Sequence, residues 1–219
     1  MSAREDVLQL IRRATADVTE RNPDVDVPVE WTYGRALPTA DVIADFVEKV
    51  EDYKAAVRRC PEVGAAETII EALSALDARS VVVPDGLPDA WVQALSGAGF
   101  ELHRDEPVLS HAQLNSIDAV LTTAAVGMAD SGTIALDHGD GQGRRALTLL
   151  PDRHIVVVRE DQVVSDVPEG MARLAPALRA RRPVTWLSGG SATSDIELSR
   201  VEGVHGPRHL SVVLVAGAQ

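Results

Sequence analysis

The sequence predicts an α/β fold: a mixed, mostly parallel sheet flanked by helices, with a helical arm at the N-terminus. Three observations predict it. From Ser80 onward, short β-branched runs such as "SVVV" and "HIVVVR" read as buried strands. Helical stretches separate the first of them, giving the strand–helix–strand order of parallel βαβ units. Before Ser80, apolar residues instead recur at helical spacing.

In "MSAREDVLQLIRRA" the stripe Val7, Leu10, Ile11, Ala14, Val18 predicts a helix, and Ser2 with Glu5 has capping-box spacing. "NPDVDVPVEW" breaks regular structure with two prolines, so Asn22 to Pro38 reads as a linker anchored by Trp31 and Tyr33. Thr39 then reads as an N-cap, followed by a stripe at Ile43, Phe46, Val47, Val50, Tyr53 and Val57. A third helix is expected from Ala65 to about Leu76. These features predict a helical arm over 1–60 and an α/β domain over 61–219. In that domain "SVVVPDG" is a strand and "LPDAWVQALSGAG" a helix closed by Gly97. "FELHR" and "IDAVLTTAA" are strands, with a short helical piece at "SHAQLN" between them. "GTIAL", "ALTLLP" and "HIVVVR" come next as strands, and a helix is expected from about Pro168 to Ala180. "VTWLSG" and "HLSVVLVA" complete the set.

Composition narrows the function. The 219 residues are 45% hydrophobic but only 3% aromatic, so Val, Leu, Ile and Ala must build the core. The net charge of −12 comes with no basic stripe of the kind phosphate backbones demand, which argues against nucleic acid. Cys60 is the single cysteine, so no intrachain disulfide is possible, and an iron–sulfur cluster, which usually takes four thiolates, has too few ligands here. No apolar run approaches a membrane span, and the N-terminus lacks a signal-peptide pattern. The expectation is a soluble cytoplasmic protein with no metal motif, Walker loop or dinucleotide fingerprint; "GDGQGRR" reads as a flexible glycine turn.

Three loops could carry chemistry, on the expectation that ligands sit beyond the carboxyl ends of the strands. In "MADSGTIAL", Gly132 permits close backbone approach while Asp130, Ser131 and Thr133 offer polar groups; a strand-entry turn explains it equally well. In "LLPDRHIVVV", His154 is a candidate acid or base, although a structural histidine is the commoner case. The richest is "LSGGSATSDIELSRVEGVHGPR". Gly189 and Gly190 free the backbone, Ser191 and Thr193 offer hydroxyls, Asp195 and Glu197 carboxylates, and His205 and Arg208 flank a Gly-Pro turn. Two readings stay open. Asp195 or Glu197 pairs with Arg208 and locks the loops, or Arg208 and the glycine–hydroxyl loop hold a small anion.

The set "ADSGTIAL", "LTLLPDRHIVVV", "GGSATSDIE" and "GVHGPR", in this order, resembles the lactate utilization protein C family of LUD-domain proteins, from about Ser80 to the C-terminus. The resemblance implies a fold like the NagB/RpiA/CoA-transferase group. It also implies a component of a system that oxidises L-lactate to pyruvate, with iron–sulfur clusters carried by partner proteins and none in this chain. Asp130-Ser131-Gly132-Thr133 stands where the family often has Glu-Thr-Gly-Thr, and Gly190 and Ala192 stand where it tends to have Pro and a base. The expected ligand is a small carboxylate held by Asp130, Gly132, Thr133, Gly189, Ser191, Thr193, Asp195, His205 and Arg208, with His154, Glu197 and His205 as catalytic candidates. The alternatives are a stand-alone enzyme, either a sugar-phosphate isomerase or an acyl-CoA transferase using Glu197 as nucleophile, and a ligand-binding regulatory subunit.

Overall fold

The computed structural model of the protein describes residues 3–20, 22, 25, 38–190, 192–193, 201–202 and 206–217. The chain divides into two compact units, Met1–Arg35 and Ala36–Gln219. The first contains helix α1 (Ala3–Ala14), which begins with Glu5 and Asp6 and ends with Arg12 and Arg13, each sign complementing the helix dipole. The expected cap Ser2 and the anchors Trp31 and Tyr33 lie outside the described residues.

The larger unit opens with α2 (Val42–Asp52). Its N-cap is Asp41 rather than the expected Thr39: the Asp41 carboxylate accepts from the N–H groups of Ile43 and Ala44, both at 3.0 Å. Thr39 instead donates its hydroxyl to the Asp45 carboxylate. The helix stops short of Val57 because Lys54 turns into the left-handed region at φ 62°. The chain then enters a strand, β1 (Ala56–Cys60). Both elements fall within residues 1–60, yet they belong to the larger unit.

Helix α3 (Ala65–Ala75) leads to β2 (Ser80–Val82), α4 (Asp89–Gly97) and β3 (Glu101–His103). Then come α5 (His111–Ser116), opened by a complete Ser110–Gln113 capping box, and β4 (Ala119–Thr123). The hairpin β5 (Val126–Met128) and β6 (Thr133–Leu136) precedes β7 (Arg153–Arg159) and β8 (Val163–Val164). Helix α6 (Val167–Arg179) is followed by β9 (Thr185–Leu187), β10 (Ala192–Thr193), β11 (Val201–Glu202) and β12 (His209–Val215). "ALTLLP" is not a strand. Arg145–Thr148 is a 3-10 turn whose Leu147 is fully buried against Val82, Leu114 and Val120. Apolar content alone does not separate such a packed turn from a strand.

The central sheet has the order β1-β12-β7-β4-β2-β3, and every pair in it is parallel. A second, mixed sheet of order β8-β5-β6-β9 stands beside it, and β10 and β11 form a small antiparallel pair. Among the described residues the strands are thus shared among three sheets, with the expected mostly parallel sheet at the centre. Because side chains alternate along a strand, β7 sorts its apolar run onto two faces. Ile155 and Val157 pack with Ile69 and Leu73 of α3 and Leu95 of α4. Val156 and Val158 pack with Phe46 and Val50 of α2 and Ile134 and Leu136 of β6. Each such burial contributes about 1.5–3 kcal/mol. Burial on both sides is why the run carries no polar residue from 155 to 158.

Candidate functional site

Two of the three loops meet over the end of α2. The β5–β6 turn holds Gly132 at φ 58°, where an added Cβ would lie 2.7 Å from the Lys49 carbonyl carbon. Thr133 shares a 2.9 Å hydrogen bond with Ser188, the residue after β9. Gly189, at φ 80°, sits where a Cβ would lie 2.5 Å from Cβ of Tyr53, and a Cβ on Gly190 would strike the Arg208 carbonyl oxygen. Glycine is required at 132 and 189 on both conformational and steric grounds. So Gly132, Thr133, Gly189 and the Arg208 backbone are neighbours. Asp130 is exposed on the same hairpin, its N–H bonded to the Ser165 carbonyl at 3.0 Å. The Ser131 hydroxyl is buried without a hydrogen-bond partner among the described residues.

Arg208 donates from Nε to Oδ1 of Asp152 at 2.6 Å. Burial pushes the Asp152 carboxyl up, but the Arg208 hydrogen bond and charge, with help from His209 and Arg153, bring it below the usual value of 3.8. Among the described residues, then, the arginine's carboxylate is Asp152, which lies within "LLPDRHIVVV" but is not among the expected site residues. Ser191, Asp195, Glu197 and His205 lie outside the described residues, and Thr193 is described only as part of β10.

His154 lies second in β7, between Leu210 of β12 and Val120 of β4. It is fully buried, and burial lowers its pKa from 6.5 to about 3. The ring is therefore neutral at pH 7. Its Nε2 and the Thr122 hydroxyl are 2.8 Å apart, while Nδ1 has no partner among the described residues. If Thr122 donates to Nε2, its own hydrogen is satisfied and Nδ1 carries the N–H. His154 helps to line a cavity of about 490 Å³, together with Arg145, Thr148, Ser188, Gly190 and Pro207.

That cavity lies at the amino ends of β7 and β12. The expectation that all three loops sit beyond strand carboxyl ends is thus corrected. "LLPDRHIVVV" and the Gly206–Arg208 end of "GVHGPR" lead into the amino ends of β7 and β12, and the Gly132 and Gly189 turns belong to the second sheet. The carboxyl edge is built by residues outside those three loops. "GDGQG" is a packed loop, not a flexible tip. Gly141 donates to the Asp85 carbonyl at 2.8 Å and accepts from the Thr123 N–H at 2.9 Å. Gln142 within it is only 4% exposed. The three glycines at 139, 141 and 143, just after β6, were the available signal. Among the described residues, no group of three or more His, Cys, Asp or Glu could hold a metal ion.

The fold and these loops define a class: a parallel α/β domain with polar cavities at the ends of its central strands. Comparison with known proteins makes this specific. Residues 43–215 match the LUD domain, and the chain belongs to that family. It is 48% identical to lactate utilization protein C of Deinococcus radiodurans over 214 residues, 97% of this chain and 95% of that one. It is 30% identical to a protein of the same name from an Exiguobacterium species over 142 residues, 63% of this chain and 61% of the relative. A crystal structure of a DUF162 family protein from D. radiodurans superposes with a TM-score of 0.70 at 46% identity, covering 82% of this chain and 99% of that one. No helix among the described residues is long and apolar enough to cross a membrane.

Proposed function

We propose that this chain is a component of an L-lactate utilization system and works with iron–sulfur partner proteins that oxidise L-lactate to pyruvate. The observation that carries this reading is the near full-length similarity to a protein named lactate utilization protein C. A single cysteine agrees with a division of labour in which the clusters sit in the partners. On this reading the chain's own contribution is to hold a small carboxylate near Gly132, Thr133, Gly189 and Arg208. One guanidinium fork plus backbone N–H groups suits a carboxylate better than a polyphosphate.

The test is genetic. The gene is deleted in a strain that has no other L-lactate dehydrogenase, and growth on L-lactate as sole carbon source is measured with and without a plasmid copy. Growth is expected to fail on deletion and return on complementation. Undiminished growth of the deletion strain overturns the pathway reading.

A further inference from the structure

We propose a second ligand site, at the carboxyl ends of β4 and β7, that takes a small carboxylate carrying a neighbouring hydroxyl or carbonyl oxygen. A cavity of about 420 Å³ opens there, walled in part by Trp91, Thr123, Asp140, Gln142, Arg159 and Arg173. In parallel sheets this is the edge where strand-end loops converge on ligands. It lies at the opposite end of the central strands from the Gly189–Arg208 neighbourhood, and it does not depend on the pathway reading.

Gln142 carries the argument. Its Oε1 accepts from two backbone N–H groups, those of Asp137 at 2.7 Å and His138 at 3.0 Å. Two donors converging on one atom fix it as the oxygen and so fix the amide's orientation. The amide NH2 is then the free end of a side chain 96% buried by its neighbours, and it has no hydrogen-bond partner among the described residues. The nitrogen itself is not sealed from solvent, and a guest's neutral oxygen would take the place of water on it. The loop is held in place for this task by Gly141, which bridges Asp85 and Thr123, and by the Thr123 hydroxyl, which donates to the Asp140 carbonyl at 3.0 Å.

The cationic side of the cavity is as well defined. Arg159 is clamped by Asp161, from Nε and Nη2, both at 3.1 Å. Arg173 uses Nη1 on the Asp161 carbonyl at 2.7 Å and makes no ion pair within 4.0 Å among the described residues. It therefore keeps Nε and Nη2 for a carboxylate guest. The guest's charge goes to Arg173, and its neutral oxygen goes to the Gln142 amide. Trp91, Ala124, Ala125 and Val157 supply the apolar remainder of the wall.

The experiment is calorimetric titration of the purified full chain, and of R208A, with L-lactate, pyruvate and acetate. The R208A background removes the contribution of the opposite end. Gln142→Glu keeps the oxygen that orders the loop but replaces the donor with a second oxygen. Arg173→Gln removes the charge from an exposed side chain. The expected result is saturable binding of lactate and pyruvate in both backgrounds, weakened at least about tenfold in the R208A background by either substitution, in protein that still melts cooperatively. Acetate, which lacks the neutral oxygen, is expected to bind about threefold or more weaker, and Gln142→Glu should erase that preference. No saturable binding below about 10 mM, or binding that either substitution leaves intact, overturns the proposal.

Discussion

Replacing Arg208 by alanine separates a ligand-holding arginine from a loop brace. Its bond to Asp152 is short, 2.6 Å, but the two side chains are 55% and 32% exposed. Solvent screens such a pair, so its contribution is about 0.5–1 kcal/mol rather than the larger value of a buried one. In a protein of this size that lowers the melting temperature by about 1–4 °C. The sign of the pH dependence is set by Asp152, whose folded pKa is depressed. The pair's stabilisation is present above the ordinary carboxylate value of 3.8 and is lost as pH falls through the lower folded value. The difference between wild type and R208A should therefore be constant from neutral pH down to about pH 5 and vanish in stronger acid. The assay is a melting series at several pH values with titration of L-lactate on the same samples. A modest melting shift with loss of one binding event is the expected result. A loss of about 3 kcal/mol or more, with lactate binding unchanged, would refute the reasoning and make Arg208 a brace.

Three further outcomes are expected. Stability should fall as pH drops from 6.5 toward 3, because the unfolded chain protonates His154 while the buried ring stays neutral; His154→Gln should flatten that slope by one proton, read from melting temperature against pH. Gly132→Ala should cost at least about 2 kcal/mol in urea unfolding, since the left-handed backbone and the Lys49 main chain both resist a Cβ; a neutral result would show that the hairpin can move off α2. The purified chain should show no visible absorbance of its own, because one cysteine cannot ligate a cluster; flavin or iron–sulfur bands in the isolated protein would contradict the division of labour proposed above.

The strands of the central sheet were legible wherever burial on both faces left a continuous apolar run, as in β2, β4, β7 and β12. β1 was not, because "AVRRC" carries two arginines at a sheet edge. There Arg58 reaches the Ser211 hydroxyl at 3.0 Å and Arg59 reaches Glu160 at 2.5 Å, contacts no local pattern encodes. The same run continued the helical stripe of α2, and only the positive φ of Lys54 breaks it. Of the candidate site, the glycines at 132 and 189 were legible because close approach leaves a residue-type signature. The Asp152 partner of Arg208 was not, since the pair is 56 residues apart and forms only once β7 and β12 lie side by side. Gln142 was missed for a related reason: a lone glutamine in a glycine-rich turn gives no sign that its amide is locked until the loop is seen closed over it.

The placement of the last strand bears on how the protein is dismantled. β12 is not at the rim of the sheet. It is zipped in parallel to β1 along one side and to β7 along all seven of its residues on the other. A pull applied from its C-terminal end runs along the strand axis, so both hydrogen-bond ladders are sheared together instead of being peeled one rung at a time. Forced extraction is governed by the unfolding barrier rather than by equilibrium stability. A pull on β12 from its C-terminal side therefore meets both ladders at once. β1, at the rim of the same sheet, is by contrast paired along a single side.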